Sequence, residues 1–463
     1  MGIQHILGII ITLLAIVGLS IYSGKSAKEK KGSNSWIVAG AIMGTLVGGS
    51  STVGTAQLAY KYGMSAWWFT LGSGIACLIL AAFYAKPFHK SGHKTLIAFI
   101  TEEYGKKNGM VASVLSSLGS FINIISQLIA ATAIIAVVFP SLKLAPSLLI
   151  STLFMILYIV FGGTKGSGMV GILKMLLLYV SMMVAGVMVL YFSGGLPGFF
   201  KLVDSINNPE NVSFYSLFSR GIGTDLGACL SLILGVITTQ SYAQAIFMAN
   251  RTDQAVKGAL LSSVLIPPVG IGGILVGLFM RATHPGIEAK KALTLFVTEY
   301  MPPAFGGVVL GALFIAVVGT GAGLALGIAT VLRRDVLPSF AEKLKRVISG
   351  RTMERILLVV ILLVASFLSM GSLGDTILNF AFMSMGLRGA TIFMPLCCSI
   401  WCKGRIGPRV ALYGIVTGPL VVLLFGLWGI LPFDPLFVGV AMSCLIMLTG
   451  YMANLYRKGK GKL

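Results

Sequence analysis

Residues 44 to 57 of the chain read GTLVGGSSTVGTAQ, a stretch in which glycines, serines and threonines interrupt an apolar run. A second interrupted stretch, GVITTQSYAQ at residues 235 to 244, mixes polar groups into a later apolar run. Small residues let membrane helices approach closely or come unwound. Breaks at matching positions of two halves are typical of transporters built from inverted repeats around a midplane binding site. Flexible packing in a glycine-rich helical bundle stays open as the alternative.

The composition places these stretches in a membrane protein. Of the 463 residues, 56% are hydrophobic and only 11% are charged, and apolar runs of about 20 residues recur along the chain. We predict an all-α polytopic membrane protein with a single transmembrane transporter domain over residues 1–463, and a soluble multidomain protein is excluded. The thirteen candidate spans are 2–23, 36–57, 64–86, 109–139, 145–162, 168–192, 223–246, 256–281, 304–331, 355–371, 375–401, 408–430 and 434–455.

The basic residues indicate the orientation in the membrane. The formal net charge is +21, and 26 of the 35 Lys and Arg residues fall in short segments on one side of the predicted spans. Positive charge marks the cytoplasmic side, so we predict an integral plasma-membrane protein with its N-terminus outside and its C-terminus in the cytoplasm. Membrane lipid is therefore an expected partner, and nucleic acid is not. The basic segments are 24–35, 86–108, 163–167, 247–257, 332–355, 402–409 and 456–463.

Four stretches carry a family resemblance. They are GGSSTVGTAQLAYKYG, FGGTKGSGMVGILK, QSYAQAIFMANRTDQAVKGAL and PPAFGGVVLGALFIAVVGTGAGLALGIATVLRRDV. In order and spacing they resemble the sodium:solute symporter family. The resemblance implies the LeuT-like fold, a five-plus-five inverted repeat over about residues 36–401 with one extra helix before it and two after it. It also implies coupling of solute uptake to a sodium gradient by alternating access.

The resemblance also implies a sodium site. The family's ligands fall here on the backbone carbonyls of Gly44, Val47 and Ala316 and on the side chains at positions 319 and 320. Those two residues are Gly319 and Thr320, so one of two hydroxyls is missing. Because a hard cation prefers several oxygen ligands, water or another group must complete the site, or sodium binds weakly. Sodium is the expected coupling ion, and no organic cofactor is expected.

Lys174 is one of two basic residues predicted inside a span. It lies nine residues beyond Lys165, about 13 Å along a helix, near the middle of a core roughly 30 Å thick. A buried ammonium without a partner is costly, so it needs acceptors, a cavity or loss of its proton. Three interpretations stay open: the side chain reaches the cytoplasmic interface, its amine stands in for the coupling cation near Thr320, or it contacts the substrate.

Arg388, in NFAFMSMGLRGATIFMP at residues 379 to 395, is the second. It lies about 13 residues from Asp375, roughly 20 Å along the helix, and its guanidinium does not deprotonate in proteins. No acidic residue lies deep in a predicted span, so we expect a substrate carboxylate as its partner. Capping of helix carbonyls or contact with the interface is the alternative. The weaker polar candidates for substrate binding are Ser50, Ser51, Thr70 and Gln127.

These observations favour a symporter for a small polar solute, an organic anion or amino acid, driven by sodium. One alternative is a proton-coupled or sodium-independent transporter in which Lys174 replaces the cation. Another is a transporter of a sugar or an osmolyte, and a membrane receptor without transport is the different class. An enzyme is not expected, since the spans show no catalytic carboxylates, His–Ser pairs or metal clusters.

Overall fold

The computed structural model describes residues 2–26, 33–162, 167–207, 211–333, 350–371, 377–428, 431 and 433–460. Helix is the regular structure throughout these ranges, where the one β-bridge is isolated and joins Ser33 to Ala249. The helices of the first half are α1 (Ile3–Ser26), α2 (Ser35–Leu46), α3 (Thr55–Tyr62), α4 (Trp68–Ile79), α5 (Ala85–Lys90), α6 (Leu96–Tyr104), α7 (Lys106–Val138), α8 (Leu144–Gly162), α9 (Ser167–Phe192) and α10 (Gly195–Asp204).

The helices of the second half follow a similar order. They are α11 (Ile222–Thr238), α12 (Gln240–Phe247), α13 (Thr252–Leu265), α14 (Pro267–Thr283), α15 (Ala292–Tyr300), α16 (Pro303–Val331), α17 (Gly350–Ser369), α18 (Ile377–Trp401), α19 (Pro408–Trp428) and α20 (Leu436–Lys460). Four short irregular helical turns complete the set. Ser50–Gly54 and Leu80–Tyr84 are π-helical, and Gly63–Trp67 and Ala289–Lys291 are 3₁₀-helical.

Many of the helices are long and apolar enough to cross a bilayer. By length and hydropathy, nine helical stretches of the described chain qualify, or ten if the bent pair α11–α12 is one span. Three further predicted spans coincide with shorter apolar helices, at Ile3–Ala15, Ser35–Leu46 and Leu144–Ile159. The all-helical membrane architecture is thus confirmed, while the count of thirteen stays a prediction. Parts of the basic segments 24–35, 163–167, 332–355 and 456–463 lie outside the described residues, as do Lys165 and Asp375.

Glycines bring the core helices close together. A Cβ added to Gly44 of α2 would lie 2.7 Å from the Cα of Gly171 on α9, which leaves no room for a side chain. A Cβ added to Gly8 of α1 would lie 2.6 Å from the carbonyl oxygen of Ala304 on α16. The chain has 58 glycines, and those at helix contacts let the backbones of membrane helices approach closely, as small residues do at helix–helix contacts in membranes.

A buried ion pair fixes the segment that leads into α11. A guanidinium nitrogen of Arg220 lies 2.6 Å from Oδ1 of Asp225, whose side chain is fully buried. The backbone N–H of Arg220 donates to the other carboxylate oxygen at 3.1 Å. The same guanidinium lies 5.4 Å from the ring centroid of Phe382 on α18, within the range of a cation–π contact. The beginning of α11 is therefore held against α18.

Candidate functional site

The first break in the chain leaves a backbone carbonyl without its helical partner. Helix α2 ends at Leu46, and Val47 has extended backbone angles. The N–H of Gly48, which would continue the helix ladder to the carbonyl of Gly44, donates instead to Oγ of Ser51 at 2.9 Å. A buried carbonyl needs a donor. The break therefore creates an acceptor at Gly44 for a cation or another donor.

Lys174 supplies that donor. Its Nζ lies 2.6 Å from the carbonyl oxygen of Gly44 and 2.8 Å from Oγ1 of Thr320. The hydroxyl of Thr320 donates in turn to the carbonyl of Ala316 at 2.9 Å. Only 4% of Lys174 is exposed. The structure thus brings the predicted coupling lysine together with three of the four predicted sodium ligands, while Val47, the fourth, is buried at the break beside them.

The contacts of Lys174 join three helices. Gly44 belongs to α2, Lys174 to α9 and Thr320 to α16. All the acceptors are neutral oxygens, and among the described residues no carboxylate forms an ion pair with Lys174. The side chain is therefore held inside the helical bundle in this conformation.

Gln127 and Ser50 hold the other side of the first break. Oε1 of Gln127 accepts from the backbone N–H of Gly49 at 3.0 Å, and its amide donates to Oγ of Ser50 at 3.1 Å. Ser50 also shares a hydrogen bond with Ser126 at 3.1 Å, and Ser126 donates to the carbonyl of Ile377 at 2.9 Å. These side chains tie the break to α7 and to the beginning of α18.

The other two residues predicted to bind the substrate, Ser51 and Thr70, have different hydrogen-bond partners. Ser51 bonds to the backbone of Gly48, within the break itself. Thr70 lies apart from this network, because its hydroxyl is 3.4 Å from the carbonyls of both Trp67 and Pro267. The structure therefore groups Ser50, Ser51 and Gln127 around one break and does not bring Thr70 to them.

Arg388 lies at the second break, between α11 and α12, where the chain bends by 46°. One guanidinium nitrogen donates to Oγ1 of Thr239 at 2.7 Å, and Thr239 is the residue that separates the two helices. Nε donates to the carbonyl of Ser384 at 3.2 Å, and the remaining nitrogen donates to Oγ of Ser384 and to Sδ of Met385. The guanidinium is 1% exposed, and no described acidic residue pairs with it.

Reasoning from the sequence missed several of these partners. Thr239 lies within the second interrupted stretch, but nothing in that stretch indicates a contact with Arg388. Ser384 precedes Arg388 by four positions, so the spacing of a helix could have indicated that the two side chains share a face. The amide of Gln127 also donates to Oδ1 of Asn123 at 3.2 Å. The sequence does not indicate Asn123 or Ser126, because nothing distinguishes them from the other polar residues of α7.

Comparisons with known proteins agree with this architecture. The family model described as "Sodium:solute symporter family" matches residues 31–418. The high affinity choline transporter 1 of Homo sapiens is 22% identical over 97% of this chain and 80% of its own length. The sodium/glucose cotransporter of Vibrio parahaemolyticus is 22% identical over 80% of this chain and 75% of its own length.

Solved structures share the fold. A Na⁺-coupled sialic acid symporter in a substrate-bound, outward-open state superposes with a TM-score of 0.76 at 16% identity, over 98% of both chains. Mhp1, a nucleobase-cation-symport-1 family transporter, superposes with a TM-score of 0.59 at 14% identity, over 92% of this chain and 94% of its own. The LeuT-like fold expected from the motifs is thereby confirmed. Because the family match also covers most of its length, this chain belongs to the sodium:solute symporter family and is a membrane transport protein, not an enzyme.

Proposed function

We propose that this chain is a secondary active transporter that moves a small polar solute by alternating access, and that the ammonium of Lys174 stands in the position of the coupling cation. The observation that carries the proposal is the pair of short contacts from Nζ to the carbonyl of Gly44 and the hydroxyl of Thr320, at 2.6 and 2.8 Å. These are oxygens that the family resemblance assigns to sodium. A sodium ion and the ammonium do not fit there together.

The missing hydroxyl at position 319 supports this role. An ammonium has three donors and is satisfied by two or three acceptors, whereas a hard metal cation prefers a fuller shell of oxygens. A Cβ added to Gly319 would lie 3.2 Å from the hydroxyl oxygen of Tyr158, so the tyrosine occupies the space into which a side chain would extend. The site has therefore lost an oxygen that a sodium ion would use and that an ammonium does not need.

A proton gradient can drive transport through a site that is occupied by a lysine. A lysine amine can lose its proton, and it then no longer offers a positive charge to Gly44 and Thr320. Release of the proton on one side of the membrane would loosen the contact between α2 and α16, and uptake of a proton on the other side would restore it.

Coupling to sodium is the second candidate, favoured by membership of the family and by the retained oxygens of Gly44, Ala316 and Thr320. In that case sodium takes the place that the neutral amine leaves. Both candidates use the same site, and they differ in the gradient that drives uptake.

For the substrate we propose a small organic anion or amino acid whose carboxylate binds the guanidinium of Arg388. The related proteins named above transport choline, glucose and sialic acid, which are a cation, a neutral sugar and an acid, so family membership leaves the charge of the substrate open. A buried guanidinium that pairs with no described carboxylate repels a cation and attracts an anion. A sugar or a cationic osmolyte is the competing class.

Uptake into proteoliposomes tests both parts. The purified protein is reconstituted, and accumulation of labelled carboxylates, sugars and betaines is measured under a sodium gradient, a pH gradient or neither. We expect accumulation of a carboxylate that depends on the pH gradient, collapses with a proton ionophore and is lost in Lys174→Gln. Lys107→Gln, which removes an exposed lysine, is the control.

Other outcomes contradict particular parts of the proposal. Uptake that requires sodium and is unchanged in Lys174→Gln would refute the role of the lysine. Sodium-coupled symport would then be the conclusion. If the Arg388→Gln variant still accumulates the carboxylate, the proposed binding of the substrate by Arg388 is refuted. Binding without accumulation would indicate a receptor.

A further inference from the structure

The two buried cations lie on equivalent helices of the two halves. In the five-plus-five core, the first half comprises α2–α3, α4–α5, α7, α8 and α9, and the second half comprises α11–α12, α13–α14, α16, α17 and α18. Lys174 is on α9, the fifth helix of the first half. Arg388 is on α18, the fifth helix of the second half.

The helices that they contact correspond as well. Lys174 bonds to Gly44 on the broken first helix of its own half and to Thr320 on α16, the third helix of the other half. Arg388 bonds to Thr239 at the broken first helix of its own half. It also packs against α7, the third helix of the other half, where a Cβ added to Gly119 would lie 2.8 Å from Cγ of Arg388. An inverted repeat exchanges the two halves, so it relates the pair of helices that Lys174 contacts to the pair that Arg388 contacts, although Arg388 also donates to Ser384 on its own helix.

A short repeated sequence gives the register independently. KTLIAFITE at residues 94–102 and KALTLFVTE at residues 291–299 match at five of nine positions, with each residue 197 positions after its counterpart (291 minus 94). The two segments form α6 and α15, which follow the second helix of each half. The glutamate of each segment also contacts a histidine that precedes it, Glu102 to His93 at 2.8 Å and Glu299 to His284 at 3.4 Å, although the two histidines are 191 positions apart (284 minus 93).

The same register relates the third helices beside the two cations, whereas the cations themselves, on the fifth helices, are 214 positions apart (388 minus 174). A shift of 197 positions takes Asn123 of α7 to Thr320 of α16 (320 minus 197). Asn123 lies one helical turn beyond Gly119, the residue against which Arg388 packs. The hydroxyl that Lys174 uses and the part of α7 beside Arg388 are therefore equivalent within about one turn.

We propose that the second break carries a fixed-cation site, the counterpart of the Lys174 site, and that the guanidinium of Arg388 fills it. The site takes a monovalent cation that donates hydrogen bonds to neutral oxygens, supplied by Thr239 and Ser384. This inference rests on the proposed role of Lys174 as a stand-in cation, but it holds whichever gradient drives transport. The Arg388 side chain then stabilises the bend between α11 and α12, in addition to any contact with the substrate.

Chemical rescue tests the proposal. Arg388→Ala leaves an opening at the second break, and thermal unfolding of the full chain in detergent is followed as methylguanidinium chloride is raised to low-millimolar concentrations. We expect a lower unfolding midpoint than in the wild type and a saturable recovery of several degrees with methylguanidinium. The same concentrations of N-methylglucamine chloride should give no recovery, and the wild type should not respond. Arg409→Ala, which removes an exposed arginine, should not respond either.

A second pair of variants covers the case in which Arg388→Ala does not fold. Arg388→Lys keeps a cation at the break and should retain most of the folded yield, whereas the neutral Arg388→Met should not. The proposal is overturned if the methionine variant is as stable as the lysine variant. It is also overturned if Arg388→Ala unfolds like the wild type and is indifferent to methylguanidinium, since Arg388 would then serve only the substrate. Neither result would bear on whether the chain accumulates a solute.

Discussion

Replacing Thr320 with valine isolates one contact of the Lys174 ammonium. Valine keeps the shape of the side chain and removes the oxygen that accepts from Nζ at 2.8 Å. Thr320 and Lys174 are 5% and 4% exposed, so water does not readily replace the lost acceptor. A hydrogen bond to a charged group contributes about 1.5–3 kcal/mol. We expect the free energy of unfolding to fall by about this amount while Lys174 carries its charge.

The same change should alter the pH dependence of uptake if protonation of Lys174 drives the cycle. The hydroxyl of Thr320 is one of the two acceptors of the Lys174 ammonium, and its loss changes the balance between the charged and the neutral amine. The midpoint of the pH profile of uptake should therefore differ from that of the wild type. Initial uptake rates in proteoliposomes, measured across a series of buffers, give this midpoint.

Thr320→Ser is the matched control, because it keeps the hydroxyl and should keep both the stability and the pH profile near those of the wild type. The reasoning would be refuted by a valine variant that unfolds like the serine variant and shows an unshifted profile. If sodium is the driver instead, Thr320→Ala should weaken the dependence of uptake on sodium concentration.

Three further substitutions test the surroundings of the two breaks. Gly44→Ala places a methyl group against the backbone of α9. It should destabilise the protein by about 1–3 kcal/mol, measured by thermal unfolding. The control Gly323→Ala meets no neighbour within 4 Å and should not destabilise the protein. Gln127→Leu leaves a buried backbone N–H of the first break without its acceptor, and it should cost about 1–3 kcal/mol of unfolding free energy and slow uptake. Asp225→Asn leaves the Arg220 guanidinium without its charge partner and should cost about 3–5 kcal/mol. A loss in Asp225→Asn no larger than that in Gly323→Ala would show that the ion pair does not fix the start of α11.

The sequence could identify the two breaks and the two buried cations because each is a local anomaly. A run of glycine and hydroxyl residues inside an apolar stretch, or a lone basic residue in a span, stands out without any knowledge of tertiary contacts. The family motifs then supplied the oxygens near which Lys174 lies. The fold class followed from the same signals, since apolar runs of this length have few alternatives to membrane helices.

The pairing of polar groups could not be predicted in the same way. Arg388 and Thr239 are 149 positions apart, so their contact depends on how α18 is rotated against α11. Thr70 has the same chemistry as Thr239, yet it faces one carbonyl in the 3₁₀ turn just before its own helix and one on α14. A hydroxyl in an apolar span can satisfy itself on a nearby carbonyl, and only the packing of the helices decides which hydroxyls remain available for a charged group.

The two cations differ in one chemical property, which makes the two otherwise equivalent breaks behave differently. The ammonium of Lys174 can lose its proton, whereas the guanidinium of Arg388 cannot. If both proposals hold, the bridge from the first break to α16 carries a positive charge only while Lys174 is protonated and is weaker without it, and the second break is held by the charged Arg388 at every stage. Alternating access in repeat-built transporters consists largely of one bundle rocking against the other around a central site. Such a motion needs one contact that depends on the state and one that does not. An inverted repeat offers two equivalent positions, and this sequence places a switchable cation at one and a permanent cation at the other.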